Sequence, residues 1–322
     1  MNKDKFSEIA ESITEDKSLD EVTKSRLLRN LQILKEAKVN ILITGATGCG
    51  KSSTINALFE DKNERAKVGQ GVNPETMNIE KFEYNNIVLF DSPGLGDGSS
   101  ADIRHSKNII DKLYEKTNNE DMLIDLVLVI LDGSSRDLGT SFELINKVII
   151  PNIGEDKKRL LVAINQADQA MKGRNWNHET NMPEPELVKF LDEKVISTQK
   201  RIKEATGVDV EPIYYAAGYK DGNKEQYPYN LSKLLLLILN YTKEEKRAVF
   251  IQDINTNEQM WAKNDGLKDY GSEIKQKIRD SFASHGEHIL GEIGGFIAGD
   301  IGRTAGKFVG RLAGGLLDLI FG

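Results

Sequence analysis

A glycine-rich segment carries the residue types that hold phosphate groups. Its sequence fits the pattern G-x-x-x-x-G-K-[ST] and reads Gly45-Ala46-Thr47-Gly48-Cys49-Gly50-Lys51-Ser52. Glycines let the backbone curl so that successive N–H groups converge on an anion, and a helix beginning here adds its positive dipole end. Lys51 is expected to bridge the β- and γ-phosphates of a nucleotide, Ser52 to give its hydroxyl to Mg²⁺, and Ser53 to line the same site. Unrelated proteins match such a pattern by chance, but the flanking strand and helix favour the functional interpretation.

A carboxylate follows the apolar run 87–90, in the tetrapeptide Asp91-Ser92-Pro93-Gly94. A carboxylate at the C-terminal tip of a strand beside a phosphate loop can hold Mg²⁺ through a water molecule. The Gly94 N–H is then placed to sense the γ-phosphate. Alone, this tetrapeptide would be an ordinary turn; its spacing after the phosphate loop favours a metal site.

Thr76 is the one serine or threonine between Ile55 and Phe90. It follows a segment with two glycines and a proline, Gly69 to Pro74, which is typical of a loop. We predict that Thr76 is a second hydroxyl ligand of Mg²⁺. The alternative is a threonine exposed on a surface loop.

Base selectivity is predicted from Asn165-Gln166-Ala167-Asp168, which follows the apolar run 160–164. The Asp168 carboxylate can accept hydrogen bonds from the N1–H and N2–H₂ groups of guanine, whereas adenine would leave it unsatisfied. Asn165 would brace this loop and reach the base. The segment Ala216-Ala217-Gly218 would present a backbone N–H to the guanine oxygen. Together these residues predict a site for GTP or GDP with Mg²⁺.

Short apolar, β-branched runs alternate with segments of helical periodicity along most of the chain. The runs are 40–44, 87–90, 126–131, 160–164 and 212–215. This alternation predicts an α/β fold with a mostly parallel, doubly wound sheet. A further run at 79–84, separated from 87–90 by Asn85-Asn86, predicts a hairpin and one antiparallel edge strand. We expect N-terminal helices over 1–37, a nucleotide-binding domain over 38–245 and a C-terminal helical region over 246–322.

The order and spacing of these motifs resemble the GTPases of the Era and TrmE branch. The base motif, Trp176, the segment 182–184 and the segment 228–231 resemble the bacterial YfjP/YeeP-like GTPases over roughly residues 38–245. The resemblance implies Mg²⁺-dependent hydrolysis of GTP to GDP and phosphate by a conformational switch. An alternative is a guanine-nucleotide module with little or no hydrolysis and a structural role. A third alternative, an ATP-using P-loop enzyme, is disfavoured by Asp168.

Three residues depart from the family pattern. Gln166 replaces the usual lysine of the base motif, which is expected to lower affinity without changing the preference for guanine. Leu95 stands where Ras-type enzymes have the glutamine that orients water, and Gly48 where potassium-activated relatives have asparagine. We therefore expect unaided turnover near or below about 10⁻⁴ s⁻¹, with dimerisation or a partner raising it.

The tail over 288–322 contains two runs of glycines spaced four residues apart, Gly291 to Gly299 and Gly302 to Gly314. Each glycine costs a helix about 1 kcal/mol relative to alanine, so the regular spacing suggests a compensating role in close packing. A basic row runs beside it, at Arg303, Lys307 and Arg311. We predict an amphipathic hairpin on an anionic membrane surface or between copies of the chain. The alternatives are a helix packed on the protein itself and a flexible tail.

The amino-acid composition narrows the classes of protein to which this chain can belong. The 322 residues are 39% hydrophobic and 29% charged, with a net charge of -7 and a pI near 5.4. This acidity argues against general nucleic-acid binding. The lone cysteine, Cys49, excludes an intrachain disulfide and indicates a reducing compartment; it is expected to serve as a small loop residue rather than a redox-sensitive thiol. We expect a cytoplasmic protein, peripheral at the inner face of the membrane, that forms a homodimer or oligomer.

Overall fold

The apolar runs form the strands of one sheet. The computed structural model describes residues 4–59, 79–94, 99–221, 224–293 and 298–321. Within these ranges six strands are hydrogen-bonded in the order β2-β3-β1-β4-β5-β8, and only the β2–β3 pair at the edge is antiparallel. The strands are β1 (Val39–Gly45), β2 (Glu80–Glu83), β3 (Ile87–Asp91), β4 (Leu126–Asp132), β5 (Leu160–Asn165) and β8 (Ile213–Tyr214). The predicted α/β fold class and antiparallel edge strand are confirmed.

Two short ribbons lie outside this sheet. They are β6 (Trp176–Asn177) with β7 (Met182–Pro183), and β9 (Tyr219–Asp221) with β10 (Lys224–Gln226). Both belong to segments that follow the base-recognition motifs in the sequence.

Helices cover both faces of the sheet because each central strand is apolar on both sides. In β1, Ile41 and Ile43 enter one core while Leu42 enters the other, and β4 divides its residues in the same way. One core holds α1 (Lys5–Glu15), α2 (Glu21–Glu36), α3 (Lys51–Leu58), α8 (Leu231–Tyr241), α9 (Tyr270–Ile293) and α10 (Ala298–Phe321). The other holds α4 (Ser99–Tyr114), α5 (Gly139–Glu143), a π-helical turn (Leu144–Ile149) with α6 (Ile150–Asn152), and α7 (Pro185–Thr206).

The N- and C-terminal helices share the core of one face of the sheet. The ring of Phe6 in α1 meets that of Phe282 in α9 edge-on, with centroids 6.3 Å apart. At the other end of the chain, Phe321 lies 5.3 Å from Trp261 between centroids. These terminal helices therefore contribute buried apolar area to the same core as the sheet.

The described part of the glycine-rich tail packs on the protein itself. Val309, Ala313, Leu317 and Ile320 are buried, one helical turn apart, against the core. A Cβ at Gly314 would lie 2.5 Å from the Arg279 guanidinium of α9, so the small residue permits this close approach. The apolar face that was predicted to meet a membrane is thus covered over 309–321. Within the described ranges, no helix is long and apolar enough to cross a bilayer.

A buried carboxylate fastens the β2–β3 turn to the helical layer. Asp253, which follows the 3₁₀ helix Glu244–Gln252, is 2% exposed. Its oxygens accept from the Asn85 N–H at 3.0 Å, the Asn85 side-chain amide at 2.7 Å, the Asn86 N–H at 2.7 Å and the Ile87 N–H at 2.8 Å. The Asn86 amide in turn donates to the Ala37 carbonyl at 2.7 Å, just after α2. One turn of the sheet is therefore bound to both terminal helical regions.

We predict that Asp253→Asn lowers the free energy of unfolding by about 2–3 kcal/mol, because buried N–H donors lose an acceptor and face a new NH₂ group. Urea denaturation followed by circular dichroism would measure the change. Asp209→Asn is the matched control, since Asp209 pairs with Lys203 on the surface, and it should change stability little. Equal losses in the two variants would contradict the structural role given to Asp253.

Candidate nucleotide-binding site

The phosphate loop joins the end of β1 to the start of α3 through glycines that no other residue could replace without strain. Gly48 and Gly50 have φ values of +78° and +89°, which L side chains rarely adopt. A Cβ on Gly50 would also overlap the Asn165 side-chain amide, and one on Gly45 would overlap the Ile130 carbonyl. The helix α3 begins at Lys51, so its N-terminal N–H groups point into the loop.

Lys51 extends back over this loop. Its Nζ lies 3.4 Å from both the Gly45 and Ala46 carbonyl oxygens. Ser52 and Ser53 follow in the first turn of α3 and are partly exposed. An ammonium group and hydroxyls therefore stand at the helix N-terminus, where an anion is bound most favourably.

Asp91, at the end of β3, has the environment of a metal-side carboxylate. Its Oδ1 is buried and makes no hydrogen bond to any described residue. Burial raises the pKa of Asp91 to about 6, although the nearby Lys51 opposes the shift. A divalent cation beside this oxygen would stabilise the ionised form, so the donor set of Asp91 and the Ser52 hydroxyl fits Mg²⁺.

Gly94 lies directly against the phosphate loop. A Cβ on Gly94 would overlap Thr47, so only glycine permits this contact. The carbonyl of Gly94 also lies 3.1 Å from Nδ1 of the buried His105 in α4. His105 is not among the site residues predicted from the sequence, because a single histidine on a helix gives no signal of its contacts. Thr76 and Leu95 lie outside the described residues.

Asn165 connects the phosphate loop to the base-recognition loops. Its amide nitrogen donates to the Cys49 carbonyl at 2.9 Å, and its oxygen accepts from the Ala217 N–H at 3.0 Å. The neighbouring Gln166, at a φ of +59°, donates from its side chain to the Gly48 carbonyl at 2.7 Å. The side chains of Asn165 and Gln166 thus both brace the backbone that is predicted to hold phosphate.

Asp168 is the residue predicted to recognise the base. It is 7% exposed, and its Oδ2 accepts from the side-chain amides of Gln169 at 2.8 Å and Gln226 at 3.2 Å. A buried carboxylate with such partners has the chemistry to recognise paired N–H donors.

Two of the three N–H groups in the segment 216–218, which is predicted to present an N–H to the guanine oxygen, have partners within the protein. The N–H of Ala216 donates to the Tyr229 carbonyl at 3.0 Å, and that of Ala217 donates to Asn165. Neither N–H is available for a guanine oxygen in this structure. This segment instead fixes Asn165 and, through the Ala216–Tyr229 bridge, the chain that follows the β9–β10 ribbon.

Cys49 contributes its backbone rather than its thiol. The side chain is buried, and burial raises the pKa of the thiol to about 11. A thiol in this environment is protonated and unreactive at neutral pH. The structure therefore favours the structural interpretation of Cys49 over the redox one.

Lys194 is a supporting residue that no sequence motif indicates. From α7 its Nζ donates to the Gly133 carbonyl at 2.6 Å and the Ser135 carbonyl at 2.7 Å. The Gly133 N–H then donates to the Asn165 carbonyl at 2.7 Å. Burial lowers the pKa of Lys194. In the sequence it is one lysine among several on an amphipathic helix, with no motif around it.

Known proteins match the part of the chain that contains the phosphate loop, Asp91 and Asn165. The profile of the family described as 50S ribosome-binding GTPase matches residues 40–166. Dynamin-like protein 1 of Campylobacter jejuni is 34% identical over 122 residues, which are 35% of this chain and 16% of that protein. GTPase Obg of Borrelia recurrentis is 23% identical over 154 residues, which are 48% of this chain and 45% of that protein. The chain thus spans less than half the length of either relative.

Among solved structures, Toc33 from Arabidopsis thaliana in complex with Mg²⁺ and GMPPNP is 15% identical, with a TM-score of 0.41. The match covers 68% of this chain and 85% of that one. Era in complex with MgGDPNP and a 16S ribosomal RNA segment is 17% identical, with a TM-score of 0.40, over 67% of this chain and 68% of that one. By its family match over 40–166 and its mostly parallel sheet, this chain carries the α/β P-loop GTPase fold.

Proposed function

We propose that this chain binds GTP and GDP with Mg²⁺ and hydrolyses GTP slowly to GDP and phosphate, as a conformational switch. The observation that carries the proposal is the double hydrogen bond of Asn165, which joins a phosphate loop to the loop that fixes a buried guanine-type carboxylate. The proposed phosphate contacts follow β1 and the proposed base contacts follow β5 and β8, with β4 between β1 and β5. All of them lie at the carboxyl ends of parallel strands, where ligands of open α/β sheets bind.

On this proposal each half of the nucleotide has its own set of partners. Loop N–H groups and Lys51 neutralise the phosphates, while Ser52 and Asp91 hold the metal side, with Asp91 acting through water. Mg²⁺, when bound, neutralises charge that develops on the phosphate oxygens. Thr76 is proposed as the second hydroxyl ligand and Gly94 as the N–H that senses the γ-phosphate. Asp168 is proposed to select guanine, because its carboxylate can accept from the adjacent N1–H and N2–H₂ groups of guanine and adenine offers no such pair.

Slow turnover follows from the absence of a glutamine after Gly94. With Leu95 at that position, no side chain of the motif orients the attacking water, and positioning of reactants carries much of phosphoryl-transfer catalysis. The same residue favours the second candidate function, a guanine-nucleotide module with little or no hydrolysis that serves in assembly. The two candidates share the binding site and differ only in turnover.

A conformational switch requires that a structural change at the phosphate site be transmitted to a surface that contacts a partner. The strands β2 and β3 lie between the two predicted phosphate-sensing segments, and their turn is bound to the helical layer by Asp253. That connection supports a role for the terminal helices in partner contact. The proposed target is a membrane surface at the inner face of the membrane or a second copy of the chain. The contact is proposed through the basic row of the tail 288–322 rather than through the apolar face that is buried over 309–321.

Lys51→Ala is expected to weaken GTP binding by about 100-fold or more, since removing one partner of a desolvated charge pair costs about 2–5 kcal/mol. Titration calorimetry with Mg-GTP would measure the loss. Lys189→Ala, an exposed lysine on α7, is the control and should bind as the wild type does. Unchanged affinity in Lys51→Ala would overturn the phosphate-loop assignment.

Asp168→Asn is expected to weaken GTP by about 100-fold or more and to favour xanthosine triphosphate, because the carboxamide complements the xanthine oxygen but repels the guanine donors. Competition of GTP, xanthosine triphosphate and ATP for the protein would report the change. If the order of the three nucleotides stays the same, Asp168 does not read the base. Preference of the wild type for ATP would instead support the alternative of an ATP-using P-loop enzyme.

Phosphate release by the intact protein should rise with protein concentration or with anionic vesicles if the terminal helices couple to a partner surface. Arg303→Glu/Lys307→Glu should weaken binding to anionic vesicles, measured by co-sedimentation, by about tenfold or more, since each basic residue near such a surface contributes about 1 kcal/mol. Lys189→Glu/Lys200→Glu on α7 is the matched charge reversal and should leave co-sedimentation unchanged. Guanine-selective binding without turnover in every condition would favour the structural module.

A further inference from the structure

The guanine-type carboxylate is already engaged by an amide from outside its own loop. Asp168 Oδ2 accepts from Gln169, its neighbour in the same 3₁₀ turn, and from Gln226 on β10. Gln226 lies 58 residues further along the chain. Its –NH₂ group offers the carboxylate the kind of N–H donor that guanine offers.

The backbone around Gln226 is held from several sides, so this contact is built into the fold. Gln226 pairs with Tyr219 across the ribbon, and its carbonyl fills the space where a Cβ of Gly218 would lie. The next carbonyl, that of Tyr227, accepts from the Asn181 side chain at 2.7 Å. Beyond it, the Ala216–Tyr229 bridge returns the chain to the base loop. These contacts leave the Gln226 side chain beside Asp168.

Guanine and both amides cannot all bond to the same carboxylate oxygen. A carboxylate oxygen offers about two lone-pair directions, and Oδ2 already has two donors. The paired N1–H and N2–H₂ groups of guanine require one acceptor direction on each oxygen. The Gln226 bond is the longer of the two, 3.2 Å against 2.8 Å, and it comes from a separate element. Gln226 is therefore the donor that yields to the base.

We infer that Gln226 is an affinity-determining residue of the guanine site, whose amide competes with the base for Asp168. The inference rests on the proposed function, because it needs Asp168 to bind guanine. This inference gives the β9–β10 ribbon a role. When guanine binds, the base replaces Gln226 as the donor to Asp168, so the contact between the ribbon and Asp168 depends on whether guanine is bound. The inference also accounts for a buried carboxylate that is solvated by protein amides when no base pairs with it.

Gln226→Ala should tighten GDP binding by about 3- to 10-fold, the range expected when one competing hydrogen bond of typical net strength is removed. The measurement is calorimetric titration of nucleotide-stripped full-length protein with Mg-GDP. Mg-pyrophosphate, which has no base, should bind the variant and the wild type equally. Gln199→Ala is the matched control, since Gln199 bonds to Asp209 on the surface, and its GDP affinity should equal that of the wild type.

Asp168→Asn, measured in parallel with GDP and xanthosine diphosphate, distinguishes failure of the Gln226 competition from failure of the guanine-site assignment. If Asp168→Asn shifts preference to xanthosine diphosphate while Gln226→Ala binds GDP as tightly as or more weakly than the wild type, the competition is refuted and the guanine site stands. If Asp168→Asn leaves selectivity unchanged, the base assignment itself fails. Equal tightening of pyrophosphate and GDP in Gln226→Ala would also overturn the inference, because the effect would not pass through the base.

Discussion

The side chain of Asn165 fixes the geometry on which the whole candidate site depends. A nucleotide has a set distance between its phosphates and its base, so the loops that bind the two ends must be held at a matching separation. Asn165 does this with both ends of one buried amide, which bonds to Cys49 in the phosphate loop and to Ala217 in the base loop. The amide reaches Cys49 only because Gly50 has no side chain. Breaking either bond would leave a buried polar group unpaired, which makes the arrangement rigid.

The two carboxylates of the site differ in how the protein satisfies them. Asp168 is bonded to two glutamine amides, so its charge is compensated within the fold. Asp91 has a buried oxygen without a partner among the described residues and a raised pKa. The carboxylate of the predicted base side is thus compensated by the protein itself, whereas a cation beside Asp91 would stabilise the ionised form of that carboxylate. Because of this difference, a conformational change that depends on the ligand is expected on the phosphate side.

The helical ends are structural parts of the fold that carries this site rather than appendages to it. They bury apolar faces against the same side of the sheet that carries α3, and Asp253 binds the β2–β3 turn to them. The sequence predicted helices here from apolar periodicity, and it predicted a small-residue face in the tail. It did not show that residues 309–321 pack on the protein, because an amphipathic pattern requires an apolar neighbour without specifying which one.

The sequence by itself determined the sheet, the phosphate loop and the candidate guanine motif, since these depend on short-range patterns: short apolar runs, glycines at fixed spacing and a strand followed by a turn. Tertiary structure decided which groups meet these motifs. Gln226, Lys194 and His105 reach the site from 58, 61 and 11 residues away in the chain. In the folded chain the N–H of Ala217 also donates to Asn165, a contact that the sequence does not predict. No local pattern encodes such contacts, because they arise only when the packing of distant elements brings donor and acceptor together.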